Sequence, residues 1–89
     1  MRDRYLEVTF RKGKVLAAYL YLPRPAGARS VRTVAAAPGI LIDFGADDVV
    51  IGIEITSPGA ITLDAINSVL VQLGQPGVSA AEIAPLRAA

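Results

Sequence analysis

Gly39-Ile-Leu-Ile-Asp-Phe-Gly-Ala-Asp-Asp-Val-Val-Ile-Gly-Ile-Glu-Ile55 is the stretch whose reading decides the fold. Ile40, Ile42 and Phe44 alternate with Leu41 and Asp43, the period of two that puts successive side chains on opposite faces of a strand. A second alternating run follows the polar Gly45-Ala-Asp-Asp48. If those residues form the whole turn, Phe44 faces Val49, Ile42 faces Ile51 and Ile40 faces Ile53. All six side chains then share one apolar face, so the register is self-consistent. Leu41, Asp43, Val50, Gly52 and Glu54 take the other face.

Upstream, Pro38-Gly39 suits the centre of a type II turn, with proline fixing φ and glycine accepting the left-handed position. It would join this hairpin to a strand over residues 30–37, weakened by three consecutive alanines of low β-propensity. Residues 5–10 alternate with Leu6, Val8 and Phe10 on one side. Gly13, within Arg11-Lys-Gly-Lys14, supplies the positive φ of a tight hairpin. The next strand, residues 15–22, is apolar on both faces, carries Tyr19 and Tyr21, and reads as central. Residues 23–29, with two prolines and a glycine, read as a hairpin loop. The same loop also offers Arg24 and Arg29, with Arg32 beyond it, as contacts for an anion.

Downstream the period changes to that of a helix. Leu63, Ile66, Val69, Leu70 and Leu73 form a stripe, leaving Asp64, Asn67, Ser68 and Gln72 opposite. Thr62 is an N-cap, and Gly74 followed by Pro76 marks the stop. Ser79-Ala-Ala-Glu82 is a capping box, with Val78 and Ile83 as its hydrophobic staple, and Pro85 limits this second helix to a turn or two. The fold class is therefore α+β: one domain over residues 1–89, with an antiparallel β-meander of four to five strands over residues 5–56. One amphipathic helix and a short C-terminal helical turn follow, over residues 60–89.

Ala18-Tyr-Leu-Tyr-Leu22, Gly39-Ile-Leu-Ile-Asp-Phe44 and Val50-Ile-Gly-Ile-Glu-Ile55 together resemble the small bacterial family known as domain of unknown function 2283. The likeness covers residues 5–56, and the tail ending Pro85-Leu-Arg-Ala-Ala89 resembles an extension of some members. Members often carry a glycine late in the acidic turn, where this chain has Asp47-Asp48. The resemblance implies no catalytic residue.

The chemistry available is narrow. The 89 residues include no cysteine and no histidine, which excludes disulfides, thiolate metal sites and imidazole acid–base catalysis. Asp43, Asp47, Asp48 and Glu54 lack the spacing of a calcium loop and read as a solvated turn and strand faces. Asp43 and Glu54 would share acid–base work only in a cleft, which nothing in the sequence specifies. The serines have no activating base. No enzyme activity, cofactor or metal is expected, and without a secretory signal or membrane-length apolar run the expected location is the cytoplasm.

Charge is lopsided: residues 1–32 hold eight of the nine Lys and Arg against Asp3 and Glu7, and the remainder holds Arg87 against six acids. Basic strands lying beside acidic ones account for this. The alternative is an anionic partner such as nucleic acid, touched through Arg2, Arg4, Arg11, Lys12 and Lys14. A hydrophobic content of 53% and a mean hydropathy of +0.47 are high for so small a chain. One helix covers one sheet face. The other, bearing Tyr19, Tyr21, Leu41 and Val50, is expected to meet a second copy of the chain, as a homodimer, or another protein. The Leu63, Ile66, Leu70 and Leu73 stripe is the alternative seam.

Overall fold

The computed structural model describes residues 4–87. Arg2 and the final Ala88-Ala89 lie outside them, so the phosphate contact expected of Arg2 and the end of the tail have no structural counterpart.

Five strands form one antiparallel sheet: β1 (Tyr5–Arg11), β2 (Lys14–Tyr21), β3 (Arg32–Ala37), β4 (Ile40–Phe44) and β5 (Val50–Ile55). One helix, α1 (Leu63–Gln72), and a 3-10 turn at Ala84–Arg87 complete the chain. The α+β class and the antiparallel sheet are those expected. Lys12 and Gly13, both at positive φ, close the β1–β2 hairpin, pairing Arg11 with Lys14. Pro38 and Gly39, with Gly39 at φ +79°, close the β3–β4 hairpin.

The strand order is β1-β2-β5-β4-β3, so β3 to β5 meander and β5 then docks against β2. The connection over residues 22–31 is accordingly not the hairpin loop expected. It crosses the sheet's end to deliver β3 to the far edge, anchored where Leu22 N–H donates to the Ile51 carbonyl and Val31 N–H to that of Phe44. The place beside β2 goes to β5 because β5, Val-Ile-Gly-Ile-Glu-Ile, has buried residues to pack on the core face, whereas β3 is exposed along almost its whole length.

The β4–β5 register needs correction by two residues: Ile40 faces Ile55, Ile42 faces Ile53, and Phe44 faces Val50 across an irregularity. A 3-10 turn at Ala46–Asp48 lengthens the connection, with Asp47 and Asp48 at φ 59° and 58°. A shift of two preserves facing, so Ile40, Ile42 and Ile53 stay on the core side, while Ile51, buried at the irregularity, lies outside the core cluster. Ile55 joins the core side, and Val49 is exposed.

α1 and the tail cover that side. Ile66, Val69 and Leu70 are buried with Ala18, Leu20, Leu22 and the β4 and β5 isoleucines other than Ile51, so the stripe weighed as a dimer seam is used within the chain. Thr62 caps α1 by accepting from Ala65 N–H at 3.1 Å. Ser79 and Glu82 form the reciprocal capping box at 3.0 and 3.2 Å, with Val78 and Ile83 buried beside it. Asn67, placed on the solvent side by the helical period, instead clasps the Val78 backbone through both its amide atoms, at 2.7 and 3.1 Å. Arg4 holds the tail from the other end, donating to the Pro76 and Gly77 carbonyls and pairing with Glu82.

Candidate functional site

Among the described residues no helix or strand covers the face away from α1, and it gathers most of the chain's distinctive side chains. β1 presents Tyr5 and Glu7, β2 presents Tyr19 and Tyr21, β5 presents Gly52 and Glu54, and β4 presents Leu41 and Asp43. Cross-strand pairing sets them in two rows. Tyr5, Tyr21, Gly52, Asp43 and Thr33 form one, and Glu7, Tyr19, Glu54, Leu41 and Ala35 form the next.

Tyr19 ties the face together. Its hydroxyl donates to Asp43 Oδ2 at 2.7 Å, although β2 and β4 are separated by β5. Strands lie about 4.8 Å apart, so the side chain spans roughly 10 Å of sheet only by lying flat across the middle strand. Gly52 makes room: a Cβ there would overlap the Tyr19 ring. Asp43 Oδ1 in turn accepts from Thr33 Oγ1 at 2.5 Å. One network therefore links β2, β4 and β3 over β5. The signal for it was a glycine inside a strand otherwise made of valine, isoleucine and one glutamate, which marks close approach of another group.

The chemistry of this network is that of a fixed donor. Burial, then the hydrogen bond to Asp43 and its negative charge, push the Tyr19 phenol well above its ordinary value. A phenol used as a base or nucleophile near neutral pH needs the opposite shift. Tyr21 is also raised, first by desolvation and then by Glu7, whose Oε1 accepts from its hydroxyl at 3.3 Å. Tyr5 stacks on Tyr21 with centroids 4.4 Å apart, and Tyr19 tilts against it at 4.6 Å.

Of the residues expected at a self-association surface, Tyr19, Tyr21 and Leu41 share this face. Val50 does not: it pairs with Phe44 where the register shifts, and packs against the buried cluster. The arginines expected at an anion site are separated and engaged differently. Arg24 lies over Tyr21 at 4.4 Å and donates to the Ile51 carbonyl, while Arg32 lies over Phe44 at 4.3 Å and pairs with Asp48. Arg29 borders a cavity of about 440 Å³ with Pro25, Val31, Asp47 and Val49, apart from the tyrosines. Among the described residues no three carboxylates converge on a point, and no helix is long and apolar enough to cross a membrane.

Residues 17–57 match the family described as Protein of unknown function (DUF2283). Over those residues, somewhat less than half of its length, the chain is similar to that family. The match contains Tyr19, Asp43 and Gly52, the three positions of the tie across β5. It begins inside β2, so β1, included in the resemblance read from the sequence, lies outside it, as do α1 and the tail. No curated protein and no solved structure matches the chain.

Proposed function

We propose that this chain, similar to the DUF2283 family over residues 17–57, is a non-catalytic structural module that self-associates, a second copy covering the tyrosine face of its sheet. One observation carries this reading: among the described residues the helix and tail cover one face only, and the opposite face is aromatic, with two of its tyrosine hydroxyls already paired. The hydroxyls of Tyr19 and Tyr21 are bonded to Asp43 and Glu7 within the chain. Covering them strands no unpaired donor, and the desolvation cost of burying polar groups is correspondingly reduced. Two such faces stack at about 10 Å, as in a β-sandwich.

An anionic partner has less to draw on. Arg4 is held by the tail and Glu82, Arg24 by Tyr21 and Ile51, and Arg32 by Asp48. The two ion pairs among the described residues each join the basic half of the chain to its acidic half, which supports a structural reading of part of the charge asymmetry.

Sedimentation velocity across the micromolar range is the test. A species of two-chain mass is expected, dissociating on dilution. A single species of one-chain mass throughout that range overturns the reading.

A further inference from the structure

The β1–β2 hairpin is longer than the sheet that holds it. β5 pairs with β2 only from Ala18 to Tyr21, so residues 9–17 form a two-stranded arm beyond the body of the sheet. At its end stand Arg11, Lys12 and Lys14, all exposed and without an ion-pair partner among the described residues.

β1 is regular along its length, the irregularity of this hairpin falling on β2 at Leu16. Tyr5, Glu7, Thr9 and Arg11 therefore stand on the tyrosine side, and Lys14 faces Arg11 across the hairpin. Three successive rows result. Glu7, Tyr19 and Glu54 form the first, Thr9 with Ala17 the second, and Arg11 with Lys14 the third. Each step is two residues, about 7 Å along the strand. The carboxylates and the cations thus lie at equal distances on either side of two small side chains.

We propose that two copies pack face to face about a two-fold axis through the Thr9 and Ala17 row, each arm lying across the other's tyrosine face. This rests on the self-association reading above and specifies its geometry. A two-fold axis there exchanges the first and third rows. Arg11 and Lys14 of each copy meet Glu7 and Glu54 of the other, and the interface is isologous and closed rather than polymerising. Lys12 at the arm's tip extends towards Tyr5 of the other copy, where an ammonium is attracted to an aromatic face, the Tyr21 ring being already engaged by Arg24 and Tyr5. Thr9 and Ala17 leave the sheets free to approach. Glu54, which has no hydrogen-bond or ion-pair partner among the described residues, gains one.

Charge exchange tests this arrangement. The Arg11→Glu/Lys14→Glu and Glu7→Lys/Glu54→Lys variants are each examined alone and mixed in equal amounts, by sedimentation velocity at low salt, with circular dichroism to establish that each is folded. Each variant alone is expected to associate at least tenfold more weakly than the native chain, from like charges placed opposite. The mixture is expected to recover a heterodimer of native strength, because both sets of contacts are again of opposite sign. Variants that dimerise as tightly as the native chain, or a mixture that recovers nothing, overturn this arrangement while a dimeric native chain upholds self-association itself. A monomeric native chain overturns both.

Discussion

Gly52 and Tyr19 make a single device from two residues on neighbouring strands. A methyl group at position 52 meets the Tyr19 ring, and the ring cannot lift without releasing Asp43. Gly52→Ala is expected to cost about 1–3 kcal/mol, the range for overpacking a filled site, in urea denaturation. In a Tyr19→Ala background most of that cost should disappear, because the clash is with the ring. Equal costs in both backgrounds would mean that the glycine serves the backbone instead. The phenol carries a second prediction. Its pKa is raised in the folded state, so its stabilising contribution is complete below the unfolded value, near 10, and is lost as pH rises above it. Native stability should therefore fall above about pH 10 more steeply than that of Tyr19→Phe. At neutral pH Tyr19→Phe should itself lose roughly 1.5 kcal/mol, the lower end for a hydrogen bond to a charged group, since the pair is only part-buried. Parallel stability curves for the two proteins at alkaline pH would contradict the assignment.

Elements closed by local chemistry were legible. Pro38-Gly39, the Thr62 cap and the Ser79–Glu82 box are each specified by a few adjacent residues, and each is present. The β4–β5 turn was not legible, because its two left-handed positions are filled by Asp47 and Asp48 rather than glycine. Aspartate tolerates that conformation, and a glycine is frequent late in this turn among members of the similar family, but neither fixes the turn's length, and the register read from the sequence is two residues off. The β2–β5 pairing was missed for another reason: it joins strands far apart in sequence, and no local signal encodes it. Asn67 shows the same limit, since the helical period marks it as solvent-facing while a distant segment supplies its partner. A left-handed conformation costs a non-glycine residue about 1–2 kcal/mol, offset in part by the greater entropy glycine loses on folding. Asp47→Gly is thus expected to be neutral or to stabilise by up to about 1 kcal/mol, read from the urea midpoint; a loss would assign the Asp47 side chain a role of its own. At the capping box, Glu82 is held below the usual carboxylate range, first by the Ser79 backbone N–H and then by Arg4. A depressed folded pKa gives stability present above the unfolded value, near 4.3, and lost as pH falls. Glu82→Gln should therefore be less stable than the native chain at neutral pH and equal to it once the carboxylate is protonated. A difference that persists in acid would point to geometry rather than charge.

At the scale of the whole molecule, the family match and the folding unit do not coincide. Residues 17–57 contain β3, β4, β5 and most of β2, together with the tie through Tyr19, Gly52 and Asp43. They contain one side of the core only. Ile61, Ile66, Val69, Leu70, Val78, Ile83 and Leu86, which bury the sheet's isoleucines, all lie beyond residue 57. A sheet of four strands with one bare apolar face has nothing to offset the conformational entropy of ordering it, roughly 1–2 kcal/mol for each backbone residue. The tail thus shares one core cluster with the sheet, and the contacts of Arg4 and Asn67 with residues 76–78 and with Glu82 keep it there. A peptide of residues 17–57 is expected to be unfolded or aggregated in dilute buffer, by circular dichroism and amide-proton dispersion. In the full chain, Leu86→Ala, at a side chain 2% exposed, should cost about 2–5 kcal/mol despite lying three residues from the C-terminus of the sequence. A well-dispersed spectrum from the peptide would show that the matched segment folds by itself. A negligible cost for Leu86→Ala would show that the tail is an ornament on that segment. If both outcomes appear as expected, the family-matched strands supply the open face and the tail supplies the core that holds it flat, so substitutions in the tail should weaken any association through the tyrosines only by unfolding the sheet that bears them.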